Sequence, residues 1–366
     1  MAAAGGPTDT LPRWASLALL PALNISAALL LSGLVVWLIG EDPVEAMVLL
    51  VQGAVGYPEA IGYTLYYATS YILTGLAVAI AFHAGLFNIG GEGQAYIAGL
   101  GVTLVALGLF GYPWWLVLPV AILAGALFGA AWAFLPGWLQ AYRGSHVVVT
   151  TIMFNFIASS VMVWLLVEVL IAPGQQSPES RPFSPASVLP AMHTLFGAIG
   201  VKIGNSPLNL SLVVALLAAL GFHIFIWHTR WGYEVRAVGH NETAAVYAGI
   251  PVKRTIVLAM ALSGALAGLM PLNEVLGVQH RLLVNFTGGA GFVGIAVALM
   301  GRNHAVGIVL AAILFGALTQ GGSELAFEKP AISRDMIVVI QGLIILFSGA
   351  LENLFRAPLA RLLRTA

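Results

Sequence analysis

The chain of 366 residues carries 15 Lys+Arg against 15 Asp+Glu, so only 8% of it is charged and its net charge is zero. A soluble domain runs at about 25% charged, whereas 60% of this chain is hydrophobic and its mean hydropathy is +0.95. Too little charge exists to coat an apolar core, which excludes a soluble enzyme, a nucleic-acid binder and a disordered chain, and leaves an integral membrane protein. The absence of cysteine excludes disulfides, thiolate metal sites and cysteine nucleophiles.

A helix needs about 20 apolar residues to cross the hydrocarbon. On that rule about ten spans are expected, at 16–39, 60–81, 94–111, 114–137, 147–171, 209–228, 255–277, 288–300, 305–322 and 336–353. The first lies in a charge-free run, Trp14–Gly40, whose 27 residues exceed the roughly 7–15 of a signal-peptide core, so it reads as a retained span. The next stretch, 43–56, is short and holds Glu45, the pattern of a helix lying at the membrane surface. The eighth span is short and glycine-laden. Long unbroken apolar runs fit helices, since barrel strands alternate over about ten residues.

Basic residues set the orientation. With the N-terminus in the cytoplasm, ten fall inside: Arg13, Arg143, Arg230, Arg236, Lys253, Arg254, Arg302, Arg356, Arg361 and Arg364. Five fall outside, Arg181, Lys202, Arg281, Lys329 and Arg334, together with the acidic Glu41, Asp42, Glu45 and Glu59. Ten crossings place both termini inside, in agreement with the basic tail.

Two connections are long. The outer one, 172–207, contains Pro173, Pro178, Pro182, Pro185, Pro190 and Pro207. It is expected to be irregular, with room for one short helix near 188–200, and is either a solvated linker or a docking surface for an external partner. The inner one, 229–254, holds a helix signal: Asn241 can N-cap, Glu242 and Thr243 suit the first turn, and Gly249 with Pro251 stops it. Small residues Ala244, Ala245 and Ala248 leave room for close approach by another protein, and Arg236, Lys253 and Arg254 flank the segment.

Two glycine clusters interrupt apolar segments, Gly85–Gln94 between spans 2 and 3 and Asn285–Gly294 between spans 7 and 8. These are equivalent places in two inverted five-helix halves, roughly 14–171 and 208–355, of a single membrane domain. Paired glycine-rich breaks point to a transport pathway, because unwound backbone is tolerated only inside protein or along a cavity. The candidate pathway residues are Asn88, Gly90, Gly91, Glu92, Gly93, Gln94, Asn155, Gly288, Gly289, Gly291 and Val293. The alternative use of glycine is close helix packing, as in Gly125-xxx-Gly129 and Gly264-xxx-Gly268. Glu168 and Glu274 lie near expected outer ends, where a carboxylate reaches water easily. The eight histidines show no metal spacing, His223 and His228 being five apart, and no Gly-x-Ser-x-Gly is present. The only lysines, Lys202, Lys253 and Lys329, do not follow glycine, so there is no P-loop and ATP would have to be handled by another polypeptide.

Four ordered motifs resemble one family. Thr74–Gln94, Thr150-Thr-Ile-Met-Phe-Asn-Phe-Ile-Ala158, Gly232–Asn241 followed by Tyr247–Ile250, and Gly291–Asn303 are similar to permease subunits of ABC importers in the branched-chain amino acid/ribose/nucleoside superfamily. The closest likeness is to the longer permease of nucleoside and simple-sugar importers that work with a BmpA-type binding lipoprotein. That group commonly has Asp where this chain has Val293. The resemblance implies an all-α, ten-helix permease of the inner membrane without catalytic residues, metal or cofactor of its own. It also implies three partners: a second related permease, a cytoplasmic ATPase that binds ATP-Mg, and an external substrate-binding lipoprotein. Asn241–Gly249 would be the coupling helix, with Arg236, Asn241, Glu242, Ala244, Ala245, Tyr247, Ala248 and Gly249 at the ATPase. From the residues alone, the rival reading is an ion-coupled secondary transporter of a small polar solute, which has no need of a docking helix; a channel is weaker, as no filter ring can be read.

Overall fold

A computed structural model describes Pro12, 19–198, Gly200 and 204–345. Arg13, Lys202, the tail Arg356–Arg364, residues 16–18 of the first span and residues 346–353 of the tenth lie outside the described residues. Among those described, the chain is helical without a strand; extended pairing is limited to the isolated bridges Glu179–Leu283 and Ala191–Asn209.

The first compact unit comprises residues up to Gly56 and from Leu318 onward. It contains α1 (Leu20–Leu38), α2 (Pro43–Val55), the end of α13 (Ala305–Glu328) and α14 (Arg334–Ile345). Asp42 caps α2, its carboxylate accepting the N–H of Val44 at 2.7 Å, and Val36, Leu50, Leu318, Leu325, Ile337 and Ile340 form the core. Lys329 reaches Glu45 at 2.7 Å and Glu41 at 3.3 Å. The Glu45 carboxylate holds that ammonium above the ordinary lysine value. Charge counting assigns all three residues to one side of the membrane, and they meet there.

The second unit, Tyr57–Ala317, contains both glycine-rich breaks and the inner connection. Its helices are α3 (Pro58–His83), α4 (Gly91–Gly108), α5 (Trp114–Trp138), α6 (Val147–Trp164), α7 (Met192–Ala198), α8 (Ser211–His228), α9 (Arg230–His240), α10 (Glu242–Tyr247), α11 (Val252–Ala267), α12 (Ala290–Met300) and the start of α13. Helices α5 and α6 run on into π-helical turns at Leu139–Arg143 and Leu165–Val169, and a third π-helix, Leu272–Gln279, follows α11. Six helical stretches in the described chain are long and apolar enough to cross a membrane: Pro58–His83, Trp114–Arg143, Val147–Val169, Ser211–His228, Val252–Gln279 and Ala305–Glu328. Helix α4 has 18 residues but opens with Glu92 and Gln94. The expected eighth span is a half-helix: the 11 residues of α12 rise about 16 Å, roughly half the hydrocarbon thickness. The inner connection contains α9 as well as the expected α10.

Helix α3 is central. Its most apolar stretch is 83% buried against 17% for α6, as befits a helix that is apolar and small on every side, with Ala68, Ala77, Ala79 and Ala81 all at 0% exposure. Helices α5 and α11 meet through the glycine pairs seen in the sequence. A Cβ on Gly129 would fall onto the carbonyl oxygen of Gly264 and within 3.0 Å of its carbon, so the two backbones touch.

The outer connection is a stitched cover, neither a free linker nor an isolated surface. Its Ser180, Phe183 and Leu189 N–H groups donate to the carbonyls of Leu282, His280 and Leu276 at 2.9, 2.8 and 3.2 Å, and Glu179 pairs with Arg281 at 2.9 Å. Ser187 is fully buried and donates to the Tyr112 carbonyl at 3.0 Å. The loop thereby supplies donors to backbone that the π-helix leaves irregular.

Gly129→Val tests the packing. The added atoms meet backbone, which cannot yield, so the variant should lose about 1–3 kcal/mol, read as a lower thermal unfolding midpoint of the purified protein. Gly221→Val, on α8 with open space around it, should be near neutral. Equal effects would place the α5–α11 contact elsewhere.

Candidate functional site

The first break follows α3. Residues 84–90 leave the helix, and their polar groups must be satisfied locally because lipid offers no partner. Asn88, at 0% exposure, accepts the Gly90 N–H at 2.8 Å and donates to Ser263 Oγ at 2.8 Å; Ser263 donates in turn to the Ala77 carbonyl of α3. The Asn88 and Gln94 amides pair with each other at 3.1 and 3.2 Å. From α6, Thr151 Oγ1 accepts the Ile89 N–H at 3.3 Å, and Asn155 accepts the Gly93 N–H at 2.9 Å while donating to the Ile89 carbonyl at 3.0 Å.

Glu92 leaves the first turn of α4 and crosses to the second break. Its Oε1 accepts the Thr287 hydroxyl at 2.5 Å and the Gly289 N–H at 2.9 Å; its Oε2 accepts the Gly291 N–H at 2.7 Å. Those N–H groups are the free donors at the start of α12, where a negative charge also meets the positive end of the helix dipole. Gly289 has φ +83°, the left-handed turn that starts the half-helix. One turn along α4, the Tyr96 hydroxyl accepts the Asn285 N–H at 2.8 Å and its ring lies 5.4 Å from that of Phe286. The two breaks are therefore one structure, clamped by α4.

Beside the clamp lies an open cavity of about 240 Å³, walled by Glu92, Gly93, Tyr96, Asn155, Phe156 and Phe292 among others. Phe156 and Phe292 are 65% and 48% exposed. Of the pathway residues expected from sequence, Glu92, Gly93 and Asn155 line it. Asn88 and Gln94 do not; they are consumed in the buried knot beneath. Gly90, Gly91, Gly288, Gly289 and Gly291 shape the backbone, and Val293 is half-buried on α12 outside the wall. Tyr96, Thr287, Phe156 and Phe292 were not among the expected residues, although Phe156 and Phe292 fall within the motifs and Thr287 within the second glycine cluster. Glu274 does not turn to water as expected: Tyr66 donates to one of its oxygens and Ser70 to the other at 3.1 Å, with Asn273 donating to Ser70 Oγ at 2.9 Å.

The inner segment is built from two capped helices. Thr229 Oγ1 accepts the Gly232 N–H and Asn241 Oδ1 the Ala244 N–H, each at 3.0 Å, and Gly249 at φ +78° ends α10. Ala245 is buried, whereas Val246 and Tyr247 are 61% and 88% exposed at the tip. Arg236 turns inward, its guanidinium 4.5 Å from the Trp227 ring. The backbone of Gly239 packs against that of His83 and Gly85, so close that a Cβ on Gly85 would lie 3.2 Å from Gly239 Cα. His83 Nε2 also lies 3.0 Å from the Asn303 carbonyl oxygen in the turn after α12. Nearby, the His223 ring lies 5.4 Å from each of His228 and His304; the fivefold interval did not keep the first pair apart, because His228 ends its helix. Among the described residues no group of side chains suits a metal.

Residues 60–349 match the family described as branched-chain amino acid transport system / permease component. The chain belongs to this permease family. Among curated relatives, the permease is 37% identical to a guanosine ABC transporter permease of Bacillus subtilis over 90% of this chain and 92% of the relative. It is 34% identical to a glucose ABC transporter permease of Haloferax volcanii over 93% and 89%, and 33% identical to a nucleoside ABC transporter permease of Lactococcus lactis over 90% of each. The Bacillus and Lactococcus organisms each hold a second, less similar permease of the same kind by name, a guanosine and a nucleoside ABC transporter permease, 28% and 29% identical over 69% and 70% of this chain and 78% and 79% of the relatives.

The clamp can be measured in the permease by a double-mutant cycle. Glu92→Gln removes the charge and one acceptor and should cost about 1–3 kcal/mol in unfolding free energy. Thr287→Val should cost less in that background than in the wild type, with coupling of about 1 kcal/mol. Additive losses would separate Glu92 from the second break.

Proposed function

We propose that this permease is the membrane-spanning subunit of an ATP-driven importer for nucleosides or related sugar-containing solutes. Guanosine, nucleoside and glucose are the substrates named for three of its relatives, and a sugar ring is common to them. On this reading the permease lies in the inner membrane of a bacterium, the outer loop receives solute from a binding lipoprotein, and a second permease faces this one. ATP is hydrolysed on a separate cytoplasmic subunit and the permease makes no covalent bond to solute.

The observation that carries the reading is the α9–α10 segment. It exposes Val246 and Tyr247 at a rigid, capped tip while its base touches Gly85, six residues before α4. A partner that moves the tip moves the entrance to the first break, and Glu92 passes that movement to α12. Alternating access then needs no more than a shift of the clamped pair against its surroundings. The cavity of about 240 Å³ is smaller than the usual 300–1,000 Å³ of a complete ligand pocket, in keeping with half of a site whose other wall is the second permease. Phe156 and Phe292 offer faces to a base or sugar and Asn155 offers an amide.

Reconstitution tests this. With its ATPase, second permease and binding protein, the permease should take up labelled nucleoside only with ATP. Uptake by the permease alone on a proton or sodium gradient would overturn the reading. Tyr247→Ala should weaken ATPase binding about 30-fold, the size of an interface hot spot of about 2 kcal/mol, at unchanged membrane abundance. Ser177→Cys, at an exposed position of the outer loop, should react with an impermeant thiol reagent added outside; labelling only from the cytoplasm would invert the topology.

A further inference from the structure

Where α5 and α11 leave the membrane beside α10, two cavities of about 490 and 420 Å³ adjoin, with Tyr142 and Arg254 in both walls. One is polar, with Gln140, Glu242, Lys253 and Arg254. The other is apolar, formed by Phe134, Trp138, Val257, Leu258 and Ala261 besides the two shared residues. Arg143 stands over the Trp138 ring at 5.5 Å and Lys253 over the Tyr142 ring at 5.3 Å. Among the described residues, none of Arg143, Lys253 and Arg254 makes an ion pair with a carboxylate.

We propose that this double cavity binds an anionic phospholipid of the phosphatidylglycerol type, its headgroup in the polar half and one acyl chain in the apolar half. Three features fix that chemistry. Lys253 and Arg254 in the wall, with Arg143 over the Trp138 ring beside it, outnumber the single lining carboxylate Glu242 and favour a phosphate, and basic pockets between spans take acidic headgroups. Trp138 and Tyr142 close a span that opens with Trp114 and Trp115, about 36 Å away at 1.5 Å per residue, so they stand at headgroup level where aromatic belts form. The apolar half opens sideways, with Phe134 and Leu258 at 48% and 37% exposure; a soluble anion or an acidic protein rim would leave it empty, whereas an acyl chain fills it. Glu242 can accept hydrogen bonds from headgroup hydroxyls, which glycerol has and a bare phosphate lacks. Because Glu242 and Val246 belong to α10, the lipid would join the ends of α5 and α11 to the segment whose tip is exposed.

Native mass spectrometry of the purified permease in neutral detergent tests the site, titrating dioleoylphosphatidylglycerol against dioleoylphosphatidylcholine. The anionic lipid should bind about tenfold more tightly or better, a preference of the size that a few juxtamembrane cations confer. The combined variant Arg143→Gln, Lys253→Gln, Arg254→Gln should bind both lipids alike. Leu258→Trp, which fills the apolar half, should weaken phosphatidylglycerol with all three cations intact, and carries the test if the triple variant does not fold. Retention of the full preference by either variant would overturn the proposal. So would displacement of the lipid by excess inorganic phosphate or glycerol phosphate, the sign of a soluble-anion site.

Discussion

One carboxylate holds the two glycine-rich breaks together. Glu92 belongs to the first break, and all three of its donors belong to the second, 195 to 199 residues away. Without it α12 would begin with free N–H groups in an environment where water is scarce, and two segments of irregular backbone would be independent. With it, the half-helix has an anion at its positive end and the two breaks move as one body. The short α12, the left-handed Gly289 and the backbone contact between Gly91 and Gly291 all presuppose that fixed crossing.

Around this clamp the chain repeats a second device, in which short polar side chains take over hydrogen bonds that helices have given up. Asn88, Gln94 and Ser263 do so beneath the first break, Asn155 and Thr151 from its side, and the outer loop for the backbone near His280 and Leu282. Asn273, Asn209 and Ser211 form a comparable buried group beside α3, linked to Glu274 through Ser70. Each group spends polar atoms on structure, so intramembrane polarity by itself did not identify the cavity wall. What distinguishes Asn155 and Glu92 from Asn88 and Gln94 is that they satisfy backbone and still border open space.

Local chemistry was legible in the sequence. Asn241 and Gly249 bracket α10 as capping rules require, the glycine pairs of α5 and α11 pack as their spacing implies, and the short helix expected at 43–56 begins at Pro43 behind Asp42. Helix α9 was missed because a polar stretch of eleven residues resembles a loop, although Thr229 is an N-cap in plain sight. The eighth span, 288–300, was short already in the sequence, and the left-handed Gly289 leaves 11 residues helical, too few to cross. Contacts between distant residues were not legible: no periodicity says that Glu92 faces Gly291, that Tyr66 finds Glu274, or that Arg236 folds back over Trp227. The family likeness located the motifs but not which of their side chains turn inward.

The crossings differ greatly in length, and that has a consequence for the surrounding lipid. Trp114–Arg143 has 30 residues and Ser211–His228 has 18, which at 1.5 Å per residue is about 45 Å against about 27 Å. The first exceeds a hydrocarbon layer of about 30 Å and must lean or carry its ends into the headgroups; the second barely covers it. A bilayer of uniform thickness cannot match both upright helices, so tilt or a local change of thickness must absorb the difference, at a cost of fractions of a kcal/mol per ångström of mismatch. Any rocking that steepens or flattens these helices changes that elastic deformation. Acyl-chain length thus enters the energy of any such rearrangement as directly as a side chain does.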